Sequence, residues 1–329
     1  MRLFFCCGII SCVFGITFFG LLHIKIGKIY PQQEVVNFTF TVHKNESLNS
    51  IARRLKHHRL IISNKLFQYG ARVKGLDKII KYGEFALTNK MSTNDILKKI
   101  TSSDYVKYKI TIKECVTSWE IIKLFSQKNF LIDNLTTSKL KEGIFAPDTY
   151  TVSFETTFTD LLEVMRLQQK MIVDGAWSRR KADHPIKNKF ELLILASIIE
   201  KEAATSEEMQ RISSVFVNRL RIGMRLQSDP TVSYGMDLGN IDERLPLQKE
   251  HLRAITDHNT YRIPRLPISP ICNPGKHAIE AAANPAATKF LYFVMSESGN
   301  HAFAQNFEDH KRNVSKWREY KQNEKNASD

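Results

Sequence analysis

Several signatures are missing from this 329-residue chain, and each absence removes a class of function. There is no HExxH, no CxxC and no histidine cluster, so nothing in the sequence asks for a metal or another cofactor. No DNA- or RNA-binding signature is present, and no compact basic stripe with interleaved aromatics. The formal net charge of +14 is therefore not read as a nucleic-acid footprint. Internal repeats are absent. Cysteine is scarce: of five, Cys6, Cys7 and Cys12 sit in an apolar opening segment, leaving Cys115 and Cys272 in the rest. Those two are far apart and lack metal-type spacing, so a disulfide and a pair of buried free thiols both remain open.

Only one long apolar run exists. Leu3 to Leu22 carries no charge, is about one bilayer thick, and is flanked by Arg2 on one side and Lys25 and Lys28 on the other. No small-x-small cleavage site succeeds it, so an uncleaved transmembrane signal anchor is expected rather than a removed signal peptide. Positive charge on both flanks leaves the orientation unsettled. With no second such run, everything after about residue 30 should lie on one side of the membrane.

Beyond the anchor of residues 1–30 the chain reads as α+β, with two folded regions. Residues 31–106 form the smaller one. Phe38 to Val42 alternates as a strand, Leu48, Ile51, Ala52 and Leu55 recur at helical spacing, and Tyr82 to Leu87 reads as a return strand. Residues 107–321 form the larger one, ending in a hairpin around Ser298-Gly299-Asn300 and a helix with Val314, Trp317 and Tyr320. Residues 322–329 are polar and expected to be a disordered tail.

The chemistry concentrates between residues 191 and 235. Leu192 to Ala204 is an almost wholly apolar helix that carries Glu200 and Glu202. A carboxyl held against apolar surface is desolvated, which raises its pKa and keeps it protonated as a general acid near neutral pH. Helical position does not separate the two glutamates. Nor does it exclude that both are solvated or paired with an arginine such as Arg219. Thr205 and Glu208 predict a capping box for the next helix, which Gly223 should close. On that helix Asn218 lies among apolar neighbours and needs a partner, backbone or ligand. The polar loop Gln227-Ser228-Asp229-Pro230-Thr231 comes next, suited to a hydrogen-bonding substrate such as a glycan.

These segments resemble a known family. ASIIEKEA, VFVNRLRIGMRLQSDPTVSYG, EGIFAPDTY (Glu142 to Tyr150) and HNTY…LP…ICNPG (His258 to Gly275) occur in the order found in YceG-like endolytic murein transglycosylases, and the likeness covers nearly the whole chain. The smaller region resembles a LysM-like module through Val42, Glu46, Ser47, Leu48, Ile51, Ala52 and Leu55. The resemblance implies a single-pass protein of the cell inner membrane with a periplasmic catalytic domain. It also implies glycan strands of peptidoglycan as substrate and peptidoglycan synthases as possible partners. It assigns the catalytic acid to Glu202, with Glu200 second, and substrate contacts to Asn218, Gln227, Asp229, Thr231 and Tyr234. Asp148 and Asn259 are expected to be structural. His301 and His310 match terminal family positions.

The reaction so implied is lytic: the acid protonates the glycosidic oxygen, and the sugar's own C6 hydroxyl closes on C1 to leave a 1,6-anhydro end. That chemistry needs one strong acid, whereas a hydrolase needs two carboxylates. A lysozyme-type hydrolase and a non-catalytic glycan-binding scaffold are the rival readings. Two positions depart from the family pattern: Cys115 succeeds Glu114 where a glycine is usual, and the turn Arg265-Leu266-Pro267-Ile268-Ser269-Pro270 lacks its usual glycines.

Overall fold

In the computed structural model the described residues are 36–127, 140–154, 156–237 and 247–328, with Gly20 and His23. The expected anchor at 3–22 lies outside them apart from Gly20. Among the described residues no helix is long and apolar enough to cross a membrane. They form an α+β structure of ten α-helices and three two-stranded sheets. The chain divides into two units, Met1–Lys109 with Thr151–Thr156, and Ile110–Tyr150 with Thr157–Asp329.

In the first unit β1 (Asn37–Val42) pairs antiparallel with β2 (Gly83–Thr88), placing Phe40 opposite Phe85. Alternation drives both rings to the same face, where Leu55, Phe67 and Ile96 enclose them without solvent access. Between the strands run α1 (Leu48–His57) and α2 (Asn64–Val73), and after them α3 (Thr93–Thr101). Each helix starts where a serine hydroxyl accepts a backbone N–H. At α3 Ser92 and Asp95 complete a reciprocal capping box. Gly83 has φ +137°, and a Cβ there would fall 2.8 Å from the Tyr105 ring, so only glycine fits.

Strands β3 (Lys107–Thr111) and β4 (Thr149–Ser153) carry the chain between units. The second unit then holds α4 (Ser118–Ser126), α5 (Phe158–Ser178), α6 (Lys189–Glu202), α7 (Met209–Arg221), α8 (Asp229–Asp237) and α9 (Lys276–Ala283). A hairpin of β5 (Tyr292–Met295) and β6 (His301–Ala304) comes next, then α10 (Phe307–Ser328). Helix α10 continues to Ser328, through residues expected to be a disordered tail. Good helix formers and a Lys321–Glu324 pair support it there.

Helix α6 is the axis of this unit. Leu192 through Ile199 are all buried, which is why the apolar residues surround the helix rather than forming a stripe. Helices α5, α7 and α9 pack on it, and the alanines of α9 let that helix approach closely. Deleting one of these large aliphatic side chains, such as Leu195→Ala, would cost about 2–5 kcal/mol.

One local expectation is corrected, and one open alternative is resolved. The Thr205 hydroxyl makes no cap bond, and the Glu208 carboxylate turns instead to His301, accepting from its backbone N–H at 2.6 Å and meeting its ring Nδ1 at 2.8 Å. A buried carboxylate paired to a histidine in the hairpin outcompetes a solvent-facing cap. Cys115 and Cys272, left open by the sequence, are joined in a disulfide that spans 157 residues. Beside it the Cys115 N–H donates to the Asn273 carbonyl and the Asn273 N–H to that of Val116.

Candidate active site

The site forms where α6 ends. Glu202 is the last residue of that helix and is only partly exposed, with the apolar core directly behind it. Its Oε1 accepts a 2.5 Å hydrogen bond from the Ser228 hydroxyl. Ser228 is held rigidly: its N–H donates to the Thr260 hydroxyl at 2.9 Å and its carbonyl accepts from the Thr231 hydroxyl at 2.6 Å. Gln227, just before it, takes a left-handed conformation with φ +51°. That turn redirects the chain into α8, whose second residue, Pro230, fits the first helical turn because no N–H is needed there.

Burial pushes the Glu202 carboxyl up to about 7; the Ser228 hydroxyl opposes the rise, the charge of Asp229 adds to it, and the Arg219 guanidinium opposes it. Arg219 is itself buried, with Nε on the Leu291 carbonyl and Nη1 on that of Leu226. Asp229 is exposed and accepts a 2.6 Å hydrogen bond from the Tyr261 hydroxyl. Burial, then that bond to Asp229, raise the Tyr261 phenol. The outcome is an acid with a pKa near neutrality beside an exposed carboxylate and a phenol, an arrangement able to give and take a proton at one atom.

Glu200 faces a different wall. Its Oε2 accepts the Gly275 N–H at 2.8 Å, at the N-cap of α9. A Cβ on Gly275 would lie 2.7 Å from Glu114 Cγ and 3.2 Å from that Oε2, so both glutamates close on this glycine. Burial raises the Glu200 carboxyl, the Gly275 N–H lowers it, and the charge of Glu114 raises it further. The pair opens on a cavity of about 370 Å³ with His277 and Thr205. Among the described residues no group of three or more His, Cys, Asp or Glu side chains could hold a metal ion.

The sequence-predicted contacts separate in space. Asp229 stands beside Glu202, and Gln227 is exposed at the turn. Thr231 is fully buried and supports Ser228 from beneath, sharing its hydroxyl with Thr260 at 2.8 Å. Asn218 spends its amide hydrogens on the carbonyls of Thr288 and Phe290, so it fastens α7 to the approach to β5. Tyr234 packs edge-on to His258 at 4.9 Å and lines a second cavity of about 500 Å³.

Asn259 likewise holds its own loop, donating to the Leu252 and Ala254 carbonyls. Asp148 accepts from the Gln168 amide, and His310 stacks on Tyr292 at 5.1 Å. Sequence reasoning names Ser228 only as part of the polar loop and Tyr261 only as part of HNTY, and gives neither an individual role. Position next to Asp229 is a usable signal for Ser228. Tyr261 carries no local signal, because its partner is 32 residues away.

Comparisons with known proteins bear on the family. Residues 40–316 match the YceG-like family. The chain is 30% identical over 302 residues to the endolytic murein transglycosylase of Bacillus subtilis, covering 82% of each protein. It is 26% identical over 321 residues to the endolytic murein transglycosylase of Streptococcus pneumoniae serotype 2. That match takes in 84% of this chain but spans 57% of the longer relative. Among solved structures, a yceG-like protein of Listeria monocytogenes is similar at 26% identity and a TM-score of 0.49, over 85% of this chain and 99% of that one.

Proposed function

The chain belongs to the YceG-like family, and from that premise we propose that it is a lytic transglycosylase of peptidoglycan glycan strands with Glu202 as its acid and base. The observation that carries this reading is the buried Glu202 carboxyl, held up to about 7 and oriented by Ser228. Glu202 gives its proton to the oxygen between N-acetylmuramic acid and N-acetylglucosamine as the C1–O bond breaks. The resulting carboxylate accepts the C6 hydroxyl proton while O6 bonds to C1. Glu202 ends protonated as it began, no water is consumed, and the product ends in 1,6-anhydro-N-acetylmuramic acid. The nucleophile belongs to the same sugar, which supplies the proximity a hydrolase must impose on water. Within nascent strands such a cut would terminate elongation.

Supporting roles come from position. Ser228 orients the Glu202 carboxyl, Asp229 and Gln227 face the open side, and Asn218 and Thr231 hold the scaffold. The strand–helix–helix–strand order of the first unit supports a LysM-like glycan-binding role. The uncharged run at 3–22 supports a single-pass inner-membrane anchor. The Cys115–Cys272 disulfide supports placing the second unit in an oxidising compartment, here the periplasm. Peptidoglycan synthases are the protein partners such a role would bring close.

One observation favours a second reading: the exposed Asp229 carboxylate beside Glu202 could activate water, as in a hydrolase. Mass spectrometry of strands cut by the wild-type protein separates the two. Ends in the 1,6-anhydro form are expected, and reducing ends would replace lytic cleavage with hydrolysis.

A further inference from the structure

The second unit contains a cavity of about 500 Å³ that the proposed chemistry leaves unused. Its walls come from the start of α4, the segment before β4, the start of α6, the middle of α8 and the turn at Ser269-Pro270. Trp119 and Phe190 stand on those walls at 37% and 45% exposure, high for rings that could pack inward. Exposed aromatic faces suit the C–H face of a sugar ring, which is apolar on one side and rimmed with hydroxyls.

Hydrogen-bonding groups to match such a rim are present. Tyr234 and Ser269 line the cavity, and the Ser269 hydroxyl is steadied by His258 Nε2 at 2.8 Å. At the floor Glu142 accepts from the Ser118 N–H at 3.0 Å with both carboxylate oxygens. Burial pushes that carboxyl up to about 7, so near neutrality it can both donate and accept. Lys141 lines the cavity next to Glu142, and Lys123 Nζ stands 5.0 Å from the centre of the Trp119 ring, leaving that ring's other face for a ligand. Both lysines can also donate to the hydroxyl and acetamido oxygens of a sugar ring.

Two helices connect this cavity to the acid. Phe190 and Glu202 mark opposite ends of α6, twelve residues or about 18 Å apart. Helix α8 starts at Asp229 beside Glu202, and Tyr234 lies five residues later, about 8 Å along its axis. We propose that the cavity is a remote subsite for an N-acetylhexosamine ring of the same glycan strand that Glu202 cuts. This rests on the transglycosylase reading, and it makes productive binding depend on strand length.

The test uses the full-length protein with Trp119→Ala and Phe190→Ala, and Trp119→Phe as the conservative control. On long purified glycan strands each alanine variant should raise KM about tenfold with kcat within about twofold, a loss of about 1.4 kcal/mol in binding. Trp119→Phe should restore most of it, and cleavage of short oligomers should respond little. Titrating N-acetylglucosamine oligomers of increasing length into Glu202→Gln protein reads binding without cleavage. The affinity gained with length should vanish when Trp119→Ala is added. If strands are cut but KM and oligomer affinity are unchanged in both folded alanine variants, the subsite is wrong and the catalytic reading stands. If nothing is cut yet Trp119→Ala weakens long oligomers, the subsite stands and the catalytic reading fails.

Discussion

Glu200 and Glu202 are two residues apart on one helix and meet two different walls. The wall facing Glu202 is a hydrogen-bonded loop of side chains: Ser228 on the carboxyl, Thr231 and Thr260 beneath it, Asp229 and Tyr261 beside it. The wall facing Glu200 is backbone and covalent bond: the Gly275 N–H on the carboxyl, Glu114 against the same glycine, and the Cys115–Cys272 disulfide one residue from Glu114. Burial raises both acids. The difference lies in whether the proton has somewhere to go. A hydroxyl partner can rotate as Glu202 changes charge, whereas a fixed N–H at the head of α9 favours Glu200 staying where it is.

Breaking the Glu200 wall should have the largest effect on stability. Reducing the disulfide, or replacing Cys115 and Cys272 with serine, releases a loop of 157 residues in the unfolded chain. The chain-entropy estimate for that is about 5 kcal/mol at most. A substantially lower Tm under reducing conditions is expected, and an unchanged Tm would remove the disulfide from the Glu200 wall's contribution. Because Cys115 has φ +57°, a Cys115→Gly, Cys272→Ala pair should recover part of the loss relative to the serine pair.

The Glu202 wall should respond more mildly, and with a sign set by pH. Its folded pKa of about 7 lies above the ordinary 4.5, so the folded state binds the proton more tightly. The contribution to stability is fully present below about pH 4.5 and is lost as pH rises through about 7. Glu202→Gln keeps the shape without the charge. It should therefore match the wild type at pH 4 and exceed it at pH 8 by up to about 3 kcal/mol, read by denaturant unfolding at both pH values. A variant less stable at pH 8 would mean that the carboxylate is held by stronger donors than Ser228.

Much of this arrangement is legible in the sequence, for reasons that also mark where legibility stops. Apolar residues on every side of Leu192 to Ile199 predict a buried helix, and α6 is buried. The alternation of Phe38, Phe40 and Val42 predicts β1, and the Ser298-Gly299-Asn300 turn predicts the terminal hairpin. These are local patterns. The roles of Asn218, Glu208 and Cys115 are not local: their partners lie 70, 93 and 157 residues away. Nothing in the neighbouring sequence distinguishes an amide that holds two carbonyls from one that holds a sugar. The same limit explains why helix position does not tell Glu200 from Glu202, since Gly275 and Ser228 arrive from elsewhere in the chain.

The most direct test of the difference between the two walls is a side-by-side rate measurement on purified glycan strands with wild type, Glu202→Gln and Glu200→Gln, each confirmed folded. Glu202→Gln should lose on the order of a thousandfold in kcat, as expected for removing a general acid and base. Glu200→Gln should stay within about tenfold of wild type. A Glu202→Gln protein that still cuts strands at near the wild-type rate, with Glu200→Gln inactive, would contradict the assignment of the proton to Glu202.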